Sequence, residues 1–498
     1  MEHLAAGLDL ILAWQNVALM ALGLVVGIVI GAIPGLNVPL AVALALPFTF
    51  HLPPLAGLSM LLGIYKGGTY GGSIAAVLIN VPGTPAAAAT AMDGYKLARA
   101  GKAGKALKTS LYASVFGELV SDIVLIVLAA QVARIALAFG PHEFFALGLF
   151  SLTIIALVSG KSLTRGLLSG AVGVLLATVG LDPLDGEVRL AFGVYELTGG
   201  LNFIALIIGA FAIAECLVQA ENRALGKLAA QVLSMSAERA DNRVSAAELR
   251  ALLPTVLRGT GIGVFIGAIP GIGAAIAAFM SYGLAKRLSK QPETFGEGAL
   301  EGVAAAESAN NAVTGSTLIP LLTLGIPGDV ITAIMLGALT VHGLIPGPTL
   351  FQQQGDFVTA LLIGMLMVTG LHLVIGRLGL PLFIHAVRLP PGILFPLVVM
   401  LCVTGTYVAT SNTFDVFVML AFGVLGYGMV KFDFPIPPLL IGFILGPLVE
   451  VSLRQAVILS NNGAWDFVTR PVSAGFLALT VIVIGSVIRQ RLKQARQT

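Results

Sequence analysis

Apolar runs of about twenty residues recur along almost the whole chain, the length that carries a helix across ~30 Å of hydrocarbon. Such a chain folds with lipid as its main solvent. Only 11% of its 498 residues are charged, against roughly 25% in an average globular protein, too few to cover soluble domains of this total length. The 60 glycines and 25 prolines would weaken soluble helices. In transmembrane helices neighbouring helices, hydroxyls and trapped water satisfy the backbone groups these residues free. The sequence predicts an all-α polytopic membrane protein of roughly ten to thirteen transmembrane helices.

Several function classes are disfavoured. Cys216 and Cys402 both lie in apolar runs, so neither a disulfide framework nor a cysteine metal site is expected. The histidines His3, His51, His142, His342, His372 and His385 form no HExxH spacing, and no metal site or cofactor is expected. No GxxxxGK[ST] phosphate loop occurs, which argues against an ATP-driven motor, and no basic, aromatic-interleaved patch suggests nucleic acid. The N-terminal stretch MEHLAAGLDLILAW lacks the basic start of a cleavable signal peptide.

Arg and Lys collect in cytoplasmic loops, so their distribution orients the spans. The first 65 residues carry neither, which places the N-terminus outside (periplasmic). Lys96, Arg99, Lys102, Lys105 and Lys108 form an inside loop. The runs 109–133, 143–160, 167–181 and 197–218 then alternate, with Lys161 and Arg165 inside and the acidic DPLDGE (182–187) outside. The linker from 219, with Arg223, Lys227, Arg239, Arg243 and Arg250, returns inside. Further on, 347–356 and 411–415 read as outside, while Arg377, Arg388, Lys431 and the tail 489–496 read as inside, making the C-terminus cytoplasmic. Two places resist this pattern: Lys286, Arg287 and Lys290 follow a proline-broken helix, and Arg454 and Arg470 fall in an outer loop.

An internal repeat organises the chain. GLVVGIVIGAIPG (23–35) recurs as GTGIGVFIGAIPG (259–271), with Gly23, Gly27, Gly31 and Gly35 matching Gly259, Gly263, Gly267 and Gly271 at a constant offset of 236. Glycines four apart share a helix face on which a partner helix approaches closely, and Pro34 and Pro270 break both helices at the same point. Each copy leads to a polar stretch and a Pro-Gly: IYKGGTYGGSIAAVLINVPGTP (64–85) and ESANNAVTGSTLIPLLTLGIPGD (307–329). By charge, copy one runs from outside to inside and copy two from inside to outside, an inverted-topology repeat. Secondary transporters use such repeats to bring interrupted helices and re-entrant hairpins to the bilayer midplane, where helix ends and unwound carbonyls bind ions. The layout is a first repeat block (1–108), scaffold helices (109–218), a cytoplasmic linker (219–251), a second block (252–350), and scaffold helices with a basic tail (351–498).

The segments 64–107 and 309–348, IYKGGTYGGSIAAVLINVPGTP through GKAGKAL and ANNAVTGSTLIPLLTLGIPGD through HGLIPGP, resemble the two signature blocks of the TctA family. This is the large membrane subunit of the tripartite tricarboxylate transporters. The resemblance covers nearly the whole chain. It implies a bacterial inner-membrane symporter subunit that takes tricarboxylates or related small carboxylates with a coupling cation, Na⁺ or H⁺. It further implies a small four-helix membrane partner, a periplasmic solute-binding protein and an elevator-type movement.

Candidate site residues follow from position. Lys66 is a cation within a polar segment placed in the membrane, expensive there unless functional, and is expected to face a substrate carboxylate. Tyr70, Gly71, Gly72, Ser73 and Asn80 with Pro82, Gly83, Thr84 and Pro85 form a first candidate hairpin. Asn310, Asn311, Thr314, Gly315 and Ser316 with Pro327, Gly328 and Asp329 are the second. Glycines let backbone approach a ligand, and hydroxyls and amides bind an anion or supply oxygens to a hard cation. Glu118 and Asp122 share one helix face and suit either a proton or cation site or a structural pairing with a basic residue. Gly31, Pro34, Gly35, Gly267, Pro270 and Gly271 are expected to break and pack helices. His372 reads as a helix-packing hydrogen bonder, and Glu215 and Asp415 as interfacial.

Two further functions compete. An intramembrane enzyme needs a nucleophile with its base or facing acids, and no such pattern stands out, so no enzyme activity is expected. A passive channel fits inverted, broken repeats less well than alternating access does.

Overall fold

The computed structural model describes residues 2–158, 162–224, 233, 236, 238, 240–388, 391–460 and 462–495. Lys161, Lys227, Arg239 and Arg496 lie outside that set, as do the side chains of Arg223 and the tail from 490 onward. Among the described residues the chain is helical, apart from a two-residue antiparallel ladder that pairs Gly180 with Arg189 and Leu181 with Val188 around the acidic loop. Seven helical stretches are long and apolar enough to cross a membrane: Trp14–Ala32, Ala87–Ala136, Phe203–Asn222, Ala246–Gly267, Gly355–Ala386, Thr413–Lys431 and Ile436–Leu459. Six shorter apolar helices, among them Val38–Thr49, Pro141–Ile155 and Val330–Val341, accompany them.

Each repeat is a helix, a break, a returning helix, and a third helix parallel to the first. In the first half these are Trp14–Ala32, Val38–Thr49 and Pro54–Ile79; in the second, Ala246–Gly267, Gly273–Leu288 and Leu300–Ser316. The glycine stripe sets the packing. Gly23 lies against Met60, Gly27 against Ile64 and Gly31 against Gly68, while Gly259 lies against Ala305, Gly263 against Ala309 and Gly267 against Val313. Every partner is displaced by the same 245 residues. A Cβ at Gly23, Gly27 or Gly31 would strike a carbonyl of the opposing helix, so these helices touch backbone to backbone. Both first helices stop at their Pro-Gly, where Gly35 (φ +85°) and Gly271 (φ +87°) take the left-handed conformation that glycine enters without steric cost.

Several ion pairs join segments that charge assigns to the same side. Lys105 pairs with Glu248 and Lys96 with Glu297, each at 2.7 Å, and Lys431 pairs with Glu221, all joining loops read as inside or adjacent to them. His3 meets Asp356 at 2.6 Å, joining the two segments read as outside. The start of the second repeat therefore sits beside the end of the first, and the start of the first beside the segment after the second. The repeats run in opposite directions. The two exceptions also find an explanation: Lys286, Arg287 and Lys290 precede a loop whose Gly296 and Gly298 amides bind Asp93, close to Lys96. Arg454 is offset by Asp182 and Glu450 at 3.0 and 3.1 Å, and Arg470 faces Glu143 at 3.5 Å.

One local expectation changes. The polar stretches do not unwind where their polarity peaks: Gly71 to Ser73 lie inside Pro54–Ile79, and Asn310 to Ser316 inside Leu300–Ser316. Close packing of the glycines holds these helices. Unwinding is confined to the residues beyond them, at Asn80 (φ +57°) and Gly325 (φ +70°), again 245 residues apart.

Candidate functional site

A cavity of about 400 Å³ lies where the two sets of helix breaks meet. Its lining includes 37–39, 84–86, 271–275 and 329–331. These residues open or immediately precede Val38–Thr49, Ala87–Leu97, Gly273–Leu288 and Val330–Val341. The first N–H groups of a helix have no intrahelical partner, and its dipole is positive at that end. Four helix starts thus border one chamber, three of them with one N–H taken by the side chain of Asn37, Thr84 or Asp329, and the apolar Ile155, Phe211, Pro437 and Ile441 also line it. Among the described residues that line it there is no Lys, Arg or His.

The third helices contribute polar side chains in repeat-related pairs: Tyr65 with Asn310, Thr69 with Thr314, and Thr84 with Asp329. Thr69 and Thr314 turn their hydroxyls onto their own backbones, at Tyr65 O (2.9 Å) and Asn311 O (2.7 Å). The Tyr65 hydroxyl donates to Asp329 Oδ2 at 2.6 Å, tying the halves together across the cavity. The other Asp329 oxygen accepts from Thr332 N at 2.8 Å and caps the last helix. Asn310 differs. It is 1% exposed, and among the described residues neither its Nδ2 nor its Oδ1 has a hydrogen-bond partner. An unfilled buried amide is costly, and this one borders the chamber with a donor and an acceptor free.

A second polar centre lies beside the cavity. Lys66 Nζ donates to Asp122 Oδ2 (2.6 Å), Thr369 Oγ1 (2.7 Å) and Met365 O (3.1 Å), which accounts for all three of its protons. Thr369 Oγ1 also lies 2.7 Å from Asp122 Oδ2, and His372 Nδ1 lies 3.1 Å from both Glu118 oxygens. Lys66, Asp122, Glu118 and His372 are wholly buried. Lys66 does not line the cavity, and its saturated ammonium faces a carboxylate of the chain itself.

A family model described as the tripartite tricarboxylate transporter TctA family matches residues 17–441, which hold both repeats and the cavity. The chain belongs to this family. TctA proteins are transporters, and the expected family is the one found. Two proteins from Agrobacterium vitis are similar to this TctA chain. An uncharacterized 52.8 kDa protein in the TAR-I ttuC' 3' region is 38% identical over 96% of this chain and 94% of its own length. An uncharacterized protein in the TAR-II ttuC' 3' region is 39% identical over 45% of this chain and 92% of its own length. No solved structure matches.

Within this TctA chain the residues singled out from sequence separate into groups. Thr84, Pro85, Asn310, Thr314, Asp329 and Gly271 line the cavity. Gly31, Gly72 and Gly83 pack together, with Gly83 N donating to Gly72 O at 3.2 Å, and Gly71 rests on Ile28. Gly328 packs on Thr317 and accepts from Gly271 N at 2.8 Å, while Ser316 packs on Gly267. Gly315 lies against Ser121 and Asp122. The Tyr70 ring meets His372 edge to face at 5.0 Å. Asn80 and Pro82 are exposed beyond the helix end, and Pro327 is buried beside the second break. Pro34, Gly35 and Pro270 sit in the two breaks. Ser73 and Asn311 point at Glu307.

Asn37, Tyr65, Thr69, Thr369 and Glu307 were not singled out from sequence. Tyr65 and Thr69 flank Lys66 in the first block, and their repeat partners Asn310 and Thr314 could have marked them. Glu307 stands at the head of ESANN, a carboxylate inside an apolar run, where charge scarcity is itself a signal. Thr369 has no signature of its own.

Proposed function

We propose that this chain is the large transmembrane subunit of a binding-protein-dependent secondary transporter. It imports a tricarboxylate or related small carboxylate across the bacterial inner membrane, with a cation, Na⁺ or H⁺, moving the same way. One observation carries this reading: four helix starts converge on one cavity at the interface of inverted repeats. Positive helix ends and the free Asn310 amide suit a carboxylate, and they do so without a basic side chain. A cavity of about 400 Å³ is of the size that encloses a small organic ligand. The partners are a small four-helix membrane subunit and a periplasmic binding protein that delivers the cargo. The broken, cavity-lining helices form the moving core of an elevator-type mechanism, with the N-terminus periplasmic and the C-terminus cytoplasmic.

The test is uptake into proteoliposomes that hold both membrane subunits, with and without the binding protein, under imposed Na⁺ or H⁺ gradients. Accumulation of a carboxylate that requires both the gradient and the binding protein is expected. Uptake indifferent to the binding protein would remove the tripartite reading, and equilibration without accumulation would point to a passive pore.

A further inference from the structure

Glu307 is a wholly buried carboxylate in the middle of a helix, and among the described residues no cation reaches it. Its Oε1 accepts from Ser73 Oγ at 2.6 Å and from Thr90 Oγ1. Its Oε2 accepts from Ser114 Oγ at 3.0 Å and Asn311 Nδ2 at 3.3 Å. Ser110 is buried one turn before Ser114 and turns to the same carboxylate, and among the described residues Asn311 Oδ1 has no partner. Three helices of the first half, Pro54–Ile79, Ala87–Leu97 and Ala103–Ala136, therefore surround one carboxylate of the second.

The other buried carboxylates near the repeats face a basic side chain or a helix start. Asp122 faces Lys66 and Glu118 faces His372. Asp93 takes the amides of Gly296, Gly298 and Ala299, which open the Leu300–Ser316 helix with its positive end. Glu307 has hydroxyls and an amide only. Hydrogen bonds soften the burial of a lone charge but do not cancel it, and such a group takes up a positive charge when one is available. Nor does the repeat need an acid there. The position 245 residues earlier is Leu62, equally buried in the first half. The acid is an addition to one half of a shared architecture.

We propose that the Glu307 cage is the site of the coupling cation, taking one unit of positive charge per cycle as Na⁺ or H⁺. The inference rests on the symport reading above and names where its ion binds. A carboxylate with several neutral oxygens is the ligand set of a small hard cation. A proton uses the same carboxylate, after one hydroxyl turns from donor to acceptor. The cage also adjoins the cargo site: Ser73 lies one turn beyond Thr69, and Glu307 and Asn311 flank Asn310. Filling the cage fixes the two third helices against each other where their polar side chains meet the cavity.

Glu307→Gln removes the charge and keeps the shape. In proteoliposomes with both membrane subunits and binding protein, gradient-driven accumulation is expected to fall by roughly tenfold or more. Exchange of labelled for unlabelled substrate, which needs no net cation movement, should survive. A Na⁺ gradient at fixed pH and a pH gradient without Na⁺ distinguish the two cations. Accumulation in E307Q equal to wild type would overturn the cage while leaving symport intact; so would loss of exchange together with accumulation in a folded protein. Wild-type vesicles that fail to accumulate under either gradient would overturn the symport reading itself. Should E307Q not fold, S73A and S114A serve instead. Each should raise the half-saturating Na⁺ concentration or shift the pH midpoint of uptake, and unaltered cation dependence in both would overturn the site.

Discussion

Lys66 and Asp122 form a wholly buried ion pair, Nζ to Oδ2 at 2.6 Å, that binds a helix of the first repeat to the helix after it. Desolvating two charges costs nearly as much as their attraction returns, so the danger lies in removing one of them. Lys66→Ala should destabilise the protein by about 3–5 kcal/mol by stranding Asp122, and Lys66→Met with Asp122→Leu should recover most of that loss. Thermal unfolding in detergent, read as a double-mutant cycle, checks both. If K66A melts like wild type, the pair contributes no stability.

Asn310 offers the cavity an unpaired donor and acceptor. Asn310→Ala should weaken carboxylate binding by about 1–3 kcal/mol, because a ligand that filled both groups loses them. Asn310→Asp sets a negative charge among the helix starts and should weaken it further. The apparent KM for uptake, measured at saturating cation, is the readout. Values unchanged in both variants would exclude the amide from the cargo site.

The matched glycines predict matched sensitivity. Gly27→Ala meets Ile64 O, and Gly263→Ala meets Ala309 O. Each should cost roughly 1–3 kcal/mol, since backbone cannot move aside as a side chain can. Gly283 has nothing within 4 Å of an added Cβ. Gly283→Ala should therefore be neutral or gain up to about 1 kcal/mol from helix propensity. Melting temperatures of the three variants decide the matter, and equal shifts would show the stripe is not a packing surface.

The 180–189 loop should open in acid. The Leu184 and Asp185 amides, then Arg189 and Arg454, hold the Asp182 carboxyl below the usual carboxylate range. A lowered folded pKa contributes stability at neutral pH that is lost as pH falls through that pKa. Loosening therefore begins below the ordinary value of ~3.9 and is complete under the depressed one. A spin label on Glu187→Cys should gain mobility over that range, and at neutral pH in a D182N background. The native thiols Cys216 and Cys402 are buried and leave the label site-selective. Mobility independent of pH would rule the Asp182 contacts out as the clasp.

Much of the architecture was legible because its causes are local. Pro34 and Pro270 stand at matched helix breaks, although Pro47, Pro254, Pro381 and Pro447 lie within continuous helices, and Gly23 to Gly35 announce their counterparts by a single offset. Loop charge likewise fixed which ends lie together, as His3 with Asp356 and Lys105 with Glu248 bear out. The helical state of 64–73 was hidden, because five glycines between Gly63 and Gly72 oppose a helix by ~1 kcal/mol each in isolation. Only the opposing backbone of Trp14–Ala32 reverses that. Lys66 stands out in the sequence as a cation in a polar membrane segment, but its partners Asp122 and Thr369 lie 56 and 303 residues away, and no periodicity links them. Glu307 lies beside the asparagines in sequence, but the hydroxyls that surround it come from three helices that no spacing brings together.

In the proposed carrier, a chamber bordered by helix starts would hold its anion without a basic side chain. A guanidinium would grip harder, yet each additional 1.4 kcal/mol of grip slows escape about tenfold. A carrier must let go as often as it takes hold. On that proposal, attraction spread over backbone termini would keep dwell time in the chamber short and leave turnover to the parts that move.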